Sequence, residues 1–163
     1  MKEIKILNPN YDNIQKFINE YESINKFNHL NILQTNSVFY NNEKNTFSIL
    51  YNYCPFNLEQ AIIKKMFTNA QIVYLIYQIA SVMKFIHSKQ IIHRNLIPSN
   101  ILISEDGTVK VCGFGISHLM AIKDQVLIYG QENLAPELLN ENEYDQKADV
   151  FSFGIIVFFM LTG

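Results

Sequence analysis

From Val150 to Leu161 the chain is almost wholly apolar, interrupted only by Ser152 and Gly154. A membrane span needs roughly 20 such residues, so this shorter run predicts a helix enclosed by protein rather than a tail anchor. The helix is expected over residues 146–162. Asp149, near its start, then needs a buried hydrogen-bond partner or a solvated end. A chain of 163 residues, 48% hydrophobic and 17% charged, has enough apolar material to enclose such a helix, as one domain or part of a larger one.

Upstream, apolar periodicity sets the other elements. Ile14, Phe17, Ile18, Tyr21, Ile24 and Phe27 follow helical spacing and predict a helix over residues 11–28. Glu20 falls inside that apolar arc, where a carboxylate is either a misfit or the partner of a buried cation. Residues 34–40 and 46–53 read as strands around an Asn-rich turn at 41–45. Thr68 and Gln71 form a capping-box pattern ahead of a helix over 69–88, whose stripe is Ile72, Leu75, Ile76, Ile79, Met83 and Ile86. Ile101–Ile103 and Val109–Val111 flank Glu105-Asp106-Gly107, a hairpin signal. This order lacks the regular alternation of a doubly wound sheet and indicates a mixed α+β fold.

Charge and cysteine content narrow the function classes. A net charge of −2 argues against a nucleic-acid surface or a polybasic membrane surface, so neither partner is expected. The four histidines are scattered, without the Cys/His spacing of a zinc site. Cys54 and Cys112, far apart in sequence, suit thiols in a reducing compartment. The charged start Met1-Lys2-Glu3-Ile4-Lys5 lacks a secretory apolar stretch, so an intracellular, cytoplasmic location is expected.

The segment Ile92-His93-Arg94-Asn95-Leu96-Ile97-Pro98-Ser99-Asn100-Ile101-Leu102 resembles the catalytic loop of protein kinases, H-R-D-L-x-x-x-N. Lys110-Val111-Cys112-Gly113-Phe114-Gly115 resembles the segment ending in D-F-G, and Ala135-Pro136-Glu137 is the A-P-E triplet. Asp149-Val150-Phe151-Ser152-Phe153-Gly154 resembles the start of the buried helix anchoring the large lobe. His29-Leu30-Asn31-Ile32 is similar to the H-P-N-I turn, which makes Glu20 the regulatory-helix glutamate. The resemblance covers essentially the whole chain. It implies a two-lobed fold, incomplete at both ends: a partial small lobe over 1–53, from the third strand onward, and a partial large lobe over 54–163, up to the central helix. Lys2, with Lys5 as the weaker candidate, would be the strand lysine that pairs with Glu20 and holds nucleotide phosphates. Tyr51, Asn52, Tyr53 and Cys54 would form the hinge against which an adenine packs, Tyr51 at the gatekeeper position, with Leu102 also at the nucleotide. His93 and Phe114 would stack with Ile24 to join the lobes, and Asp149 would bind the catalytic-loop backbone. Arg94 would receive a phosphate on the activation segment, where Ser117 and Tyr129 are the acceptors; Glu137 would be structural.

Against that pattern the catalytic set is depleted. Asn95 stands where the family has its aspartate base, and an amide has no basic site near neutral pH. Ile97 replaces the lysine that stabilises the transferring phosphate. Gly113 replaces the metal-binding aspartate, leaving Asn100 as a neutral and poor sole ligand for Mg²⁺. Gln131, after Gly130, stands where a threonine commonly braces the loop, and no glycine-rich loop precedes Lys2. The helices that follow in the family normally cover Phe153, Ile156, Phe158 and Phe159; without them the last helix is expected to be sticky, partly exposed or paired with another chain. The expectation is a catalytically impaired pseudokinase or fragment that binds other proteins and takes ATP weakly, with poor Mg²⁺ binding. The alternative is a divergent active ATP-dependent kinase, of serine/threonine type by its loop wording.

Overall fold

A computed structural model describes residues 2–5, 11–114, 134–139 and 145–163 of the chain. Strand β1 (Lys2–Lys5) edges a three-stranded antiparallel sheet in the order β1-β3-β2, where β2 is Thr35–Asn41 and β3 is Thr46–Tyr51. The expected turn joins β2 to β3. The Asn41 side-chain oxygen accepts from the N–H groups of Glu43 and Lys44, both at 3.0 Å, so the turn satisfies its own backbone. Alternation along β3 buries Phe47 and Ile49 against helix α1 (Tyr11–Asn25). Fully buried Phe17 meets the rings of Phe47 at 4.3 Å and Tyr21 at 4.6 Å, forming a small core under the sheet.

Helix α1 stops at Asn25, three residues earlier than its apolar periodicity predicts. The Asn25 side chain explains the stop: its amide bonds the Thr35 carbonyl and its oxygen accepts from the Thr35 N–H at 2.7 Å, tying the helix end to β2. Phe27 keeps its apolar role outside the helix, packing edge-on against Phe85 with ring centroids 5.6 Å apart. The following turn is stitched into the rest of the molecule. Asn31 is buried and donates to the Gln78 side chain (2.7 Å) and the Val109 carbonyl (3.0 Å), while the Val109 N–H donates to Gln78 at 3.0 Å. Ile32 forms a parallel bridge with Val111.

The remainder is helix-rich. Strand β4 (Phe56–Asn57) leads into α2 (Leu58–Ile63) and α3 (Asn69–Ser88), then a 3-10 turn (Pro98–Asn100), β5 (Ile101–Ile103) and β6 (Val109–Val111). Helices α4 (Pro136–Leu139) and α5 (Lys147–Thr162) complete the described elements. Strands β4, β5 and β6 pair antiparallel in that order. Helix α3 and the β5–β6 hairpin fall at their expected positions, and the Thr68–Gln71 capping box is formed in both directions. Helix α2 was not anticipated, although Asn57 and Gln60 build the same reciprocal cap. The larger core gathers Leu75, Ile79 and Ile86 of α3, Ile101, Val109 and Val111 of the hairpin, and Ile156 and Met160 of α5.

Helix α5 corrects the expectation of enclosure all round and agrees with that of partial exposure. It is not enclosed all round: Phe158 is 67% exposed and Leu161 65%, while Ile156 is 1% exposed. The reason is that α3 covers one face, taking in Ile156 and Met160 with Phe153 and Phe159 half-buried beside them, so only Phe158 of the four residues assigned to later helices is open. No helix among the described residues is long and apolar enough to cross a membrane. The fold is therefore α+β, a sheet-bearing N-terminal part joined to a helical C-terminal part, the two-lobed arrangement expected from the resemblance.

Candidate active site

The segment between α3 and the 3-10 turn is held from below by one carboxylate. Asp149, 1% exposed at the start of α5, accepts from the N–H groups of His93 (2.7 Å) and Arg94 (2.8 Å). A third contact, to His87 Nε2 at 2.9 Å, comes from the last turn of α3. Buried carboxylates persist when their lone pairs are filled in this way. The pull on two successive amides accompanies a left-handed backbone at Arg94, φ 65°, a conformation that costs about 1–2 kcal/mol for a residue with a side chain.

His93 is bonded at both ring nitrogens. Its Nε2 lies 3.1 Å from the Cys112 carbonyl, which can only accept, and its Nδ1 takes the Asn95 N–H at 3.2 Å. Those two partners require the neutral ring with the proton on Nε2. The ring also meets Phe114 at 4.4 Å between centroids, and Ile24 and Phe114 share one core. Of the expected stack of Ile24, His93 and Phe114, the His93–Phe114 ring contact is seen directly. A cavity of about 10 Å³, room for roughly one water, lies beside it between Tyr21, Ile24, Tyr51, Cys112 and Phe114.

The positions that the resemblance would make catalytic lie together and are buried. Asn95 is 3% exposed, and its side-chain nitrogen has no hydrogen-bond partner. Ile97 is buried where a lysine head would require solvent or a counter-charge. Asn100, also buried, donates from its side chain to the Asn95 carbonyl at 2.9 Å. Its backbone is fixed on both sides, the N–H to the Ile97 carbonyl (3.0 Å) and the C=O from the Cys112 N–H (2.9 Å). Gly113 follows with φ +92°, and a Cβ built there would stand 2.7 Å from both Cγ and Nδ2 of Asn100. Mg²⁺ demands oxygen ligands in near-octahedral geometry, commonly one or two carboxylates. Asn95, Asn100 and Gly113 supply no carboxylate, and the space beside Gly113 is filled by an amide. This corner does not fit the ion.

The expected nucleotide side is only partly described. The register sets Lys2 opposite buried Ile49 and Lys5 opposite Thr46. The Lys2 and Glu20 side chains, and hence their expected ion pair, lie outside the described residues, as do Gly115, Ser117, Tyr129, Gly130 and Gln131. Tyr51 ends β3 half-buried, and burial pushes its hydroxyl pKa up, with Cys112 and Cys54 adding to the shift. Asn52 and Tyr53 are exposed. The Cys54 thiol is also pushed up by burial, against the opposing pull of Lys110. Leu102 sits mid-strand in β5, half-buried and opposite Lys110. Glu137, half-buried, lies on α4.

His87 is a site residue that the sequence reading missed. Asp149 advertised its need for partners, but nothing in the linear pattern separates His87 from the chain's other histidines.

The protein kinase domain family matches residues 1–163. The chain is 34% identical over 161 residues to serine/threonine-protein kinase 12 of Arabidopsis thaliana, covering 93% of this chain and 35% of that protein. It is 37% identical over 125 residues to serine/threonine-protein kinase pakH of Dictyostelium discoideum, covering 74% of this chain and 24% of that protein. With mitogen-activated protein kinase kinase kinase dlk-1 of Caenorhabditis briggsae it shares 33% over 121 residues, 71% of this chain and 14% of that protein. The chain thus spans about a third or less of the length of these curated relatives.

Proposed function

The chain belongs to the protein kinase domain family, and from that premise we propose that it is a catalytically impaired kinase-like domain that acts by binding other proteins. Its small lobe would be residues 1–53 and its large lobe 54–163. The observation that carries the reading is the contrast between brace and chemistry: the Asp149 carboxylate and the His93–Phe114 stack are fully built. The positions for base, phosphate cation and metal ligand hold Asn95, Ile97 and Gly113. General-base help is typically worth roughly 10²–10⁴-fold, so Asn95 alone would slow turnover without ending it. Loss of the phosphate-stabilising charge and the metal carboxylate acts on the same transition state, which phosphoryl transfer stabilises mainly by positioning and electrostatics.

Nucleotide binding is a separate part of the proposal. Lys2, Glu20, the hinge at Tyr51–Cys54 and Leu102 would take ATP weakly and without Mg²⁺. Thermal-shift titration of the full chain with ATP, with and without Mg²⁺, tests this. A small shift independent of Mg²⁺ is expected; a large Mg²⁺-dependent one contradicts it. A second reading, a divergent active kinase of protein hydroxyls, is favoured by the serine/threonine-kinase names of two of the relatives described above.

A further inference from the structure

We propose that Gly113 excludes a metal by packing as well as by charge: lacking a Cβ, it admits the Asn100 side chain into the space a residue at 113 would occupy. Asn100 then serves as an internal plug. The inference rests on the reading of this centre as one that does not use Mg²⁺, and it explains why that state is locked.

The geometry leaves little room to yield. A Cβ at 113 would come within 2.7 Å of Asn100 Cγ and Nδ2, shorter than real Cβ contacts, and a tight 3.1 Å from Oδ1. Asn100 cannot readily retreat, being 1% exposed, bonded from Nδ2 to the Asn95 carbonyl and held through both backbone groups. Gly113 cannot retreat either. Cys112 before it spends its N–H on Asn100 and its C=O on His93, and Phe114 after it is packed on the His93 ring. An aspartate at 113 must therefore push Asn100 off the Asn95 carbonyl. Restoring the carboxylate would dislodge the one metal-ligand residue that remains, so the two would not hold a cation together.

Melting shifts of the full chain test the packing. Gly113→Ala carries two penalties, the left-handed backbone and the contact with Asn100; beside Asn100→Ala only the first remains. The expected loss is roughly 8 °C in the native background and roughly 4 °C beside Asn100→Ala. Equal losses in both backgrounds would overturn the inference. Mn²⁺ titration followed by electron paramagnetic resonance gives the second readout: Gly113→Asp should bind no more Mn²⁺ than the native chain, and a new stoichiometric site would overturn it. Should Gly113→Asp fail to fold, the alanine comparison decides alone. Phosphate transfer by the native chain would refute the functional reading, but it would not equalise the two melting shifts, so the two failures are distinguishable.

Discussion

At the residue scale, Asp149 binds two successive backbone N–H groups and one imidazole, all from inside the protein. Replacing it with alanine strands those donors, and the expected loss of stability is about 3–5 kcal/mol by denaturant titration. A loss under 1 kcal/mol would mean that the loop has other support. His29 gives a pH test. Its Nδ1 accepts the Asn31 N–H at 3.1 Å, its ring lies 4.9 Å from that of Phe85, and burial lowers its pKa from 6.5. A base whose pKa is depressed on folding contributes fully above its unfolded value and loses that contribution as pH falls through the folded value. Stability should therefore decline from pH 7 toward 5, and less steeply in His29→Gln; identical profiles would exclude the linkage. Residue types at the site were legible from sequence, Asn95 and Gly113 above all. Their crowding was not, because the approach of Asn100 to Gly113 depends on two loops brought together by the hairpin between them.

Elements were legible wherever an apolar period and a cap agreed. Helix α3 has both, and its limits were read correctly; Thr68→Ala should cost about 1 kcal/mol through loss of the reciprocal cap, measured by thermal or urea unfolding. Helix α1 has the period beyond its end, but the Asn25 clamp on Thr35 overrides it. A bond to a strand ten residues away leaves no local trace. The apolar run that marks helix α5 carries no information of its own on which face is covered. The packing now separates its residues: Ile156→Ala should cost about 2–5 kcal/mol, whereas Phe158→Ser should leave the unfolding midpoint nearly unchanged. Equal destabilisation by both would contradict the one-sided burial of α5.

Across the whole molecule, Tyr21 and Ile49 of the small core line one cavity with Ile24 and Phe114 of the larger core, while Asn31 and Gln78 tie the turn after α1 to the hairpin. The α+β class followed from element order, and the joining contacts required three dimensions. In the function proposed above, these contacts hold the architecture around a centre where Asn95, Ile97 and Gly113 would replace the base, the phosphate cation and the metal carboxylate. Transfer of the γ-phosphate from ATP to a generic protein substrate, with Mg²⁺ or Mn²⁺, measures the consequence most directly. The native chain and Asn95→Asp should both give no transfer above the background without protein, since one restored carboxylate leaves the metal and phosphate contacts missing. Robust transfer by the native chain that Lys2→Met abolishes, or a working kinase produced by Asn95→Asp alone, would contradict an impaired centre.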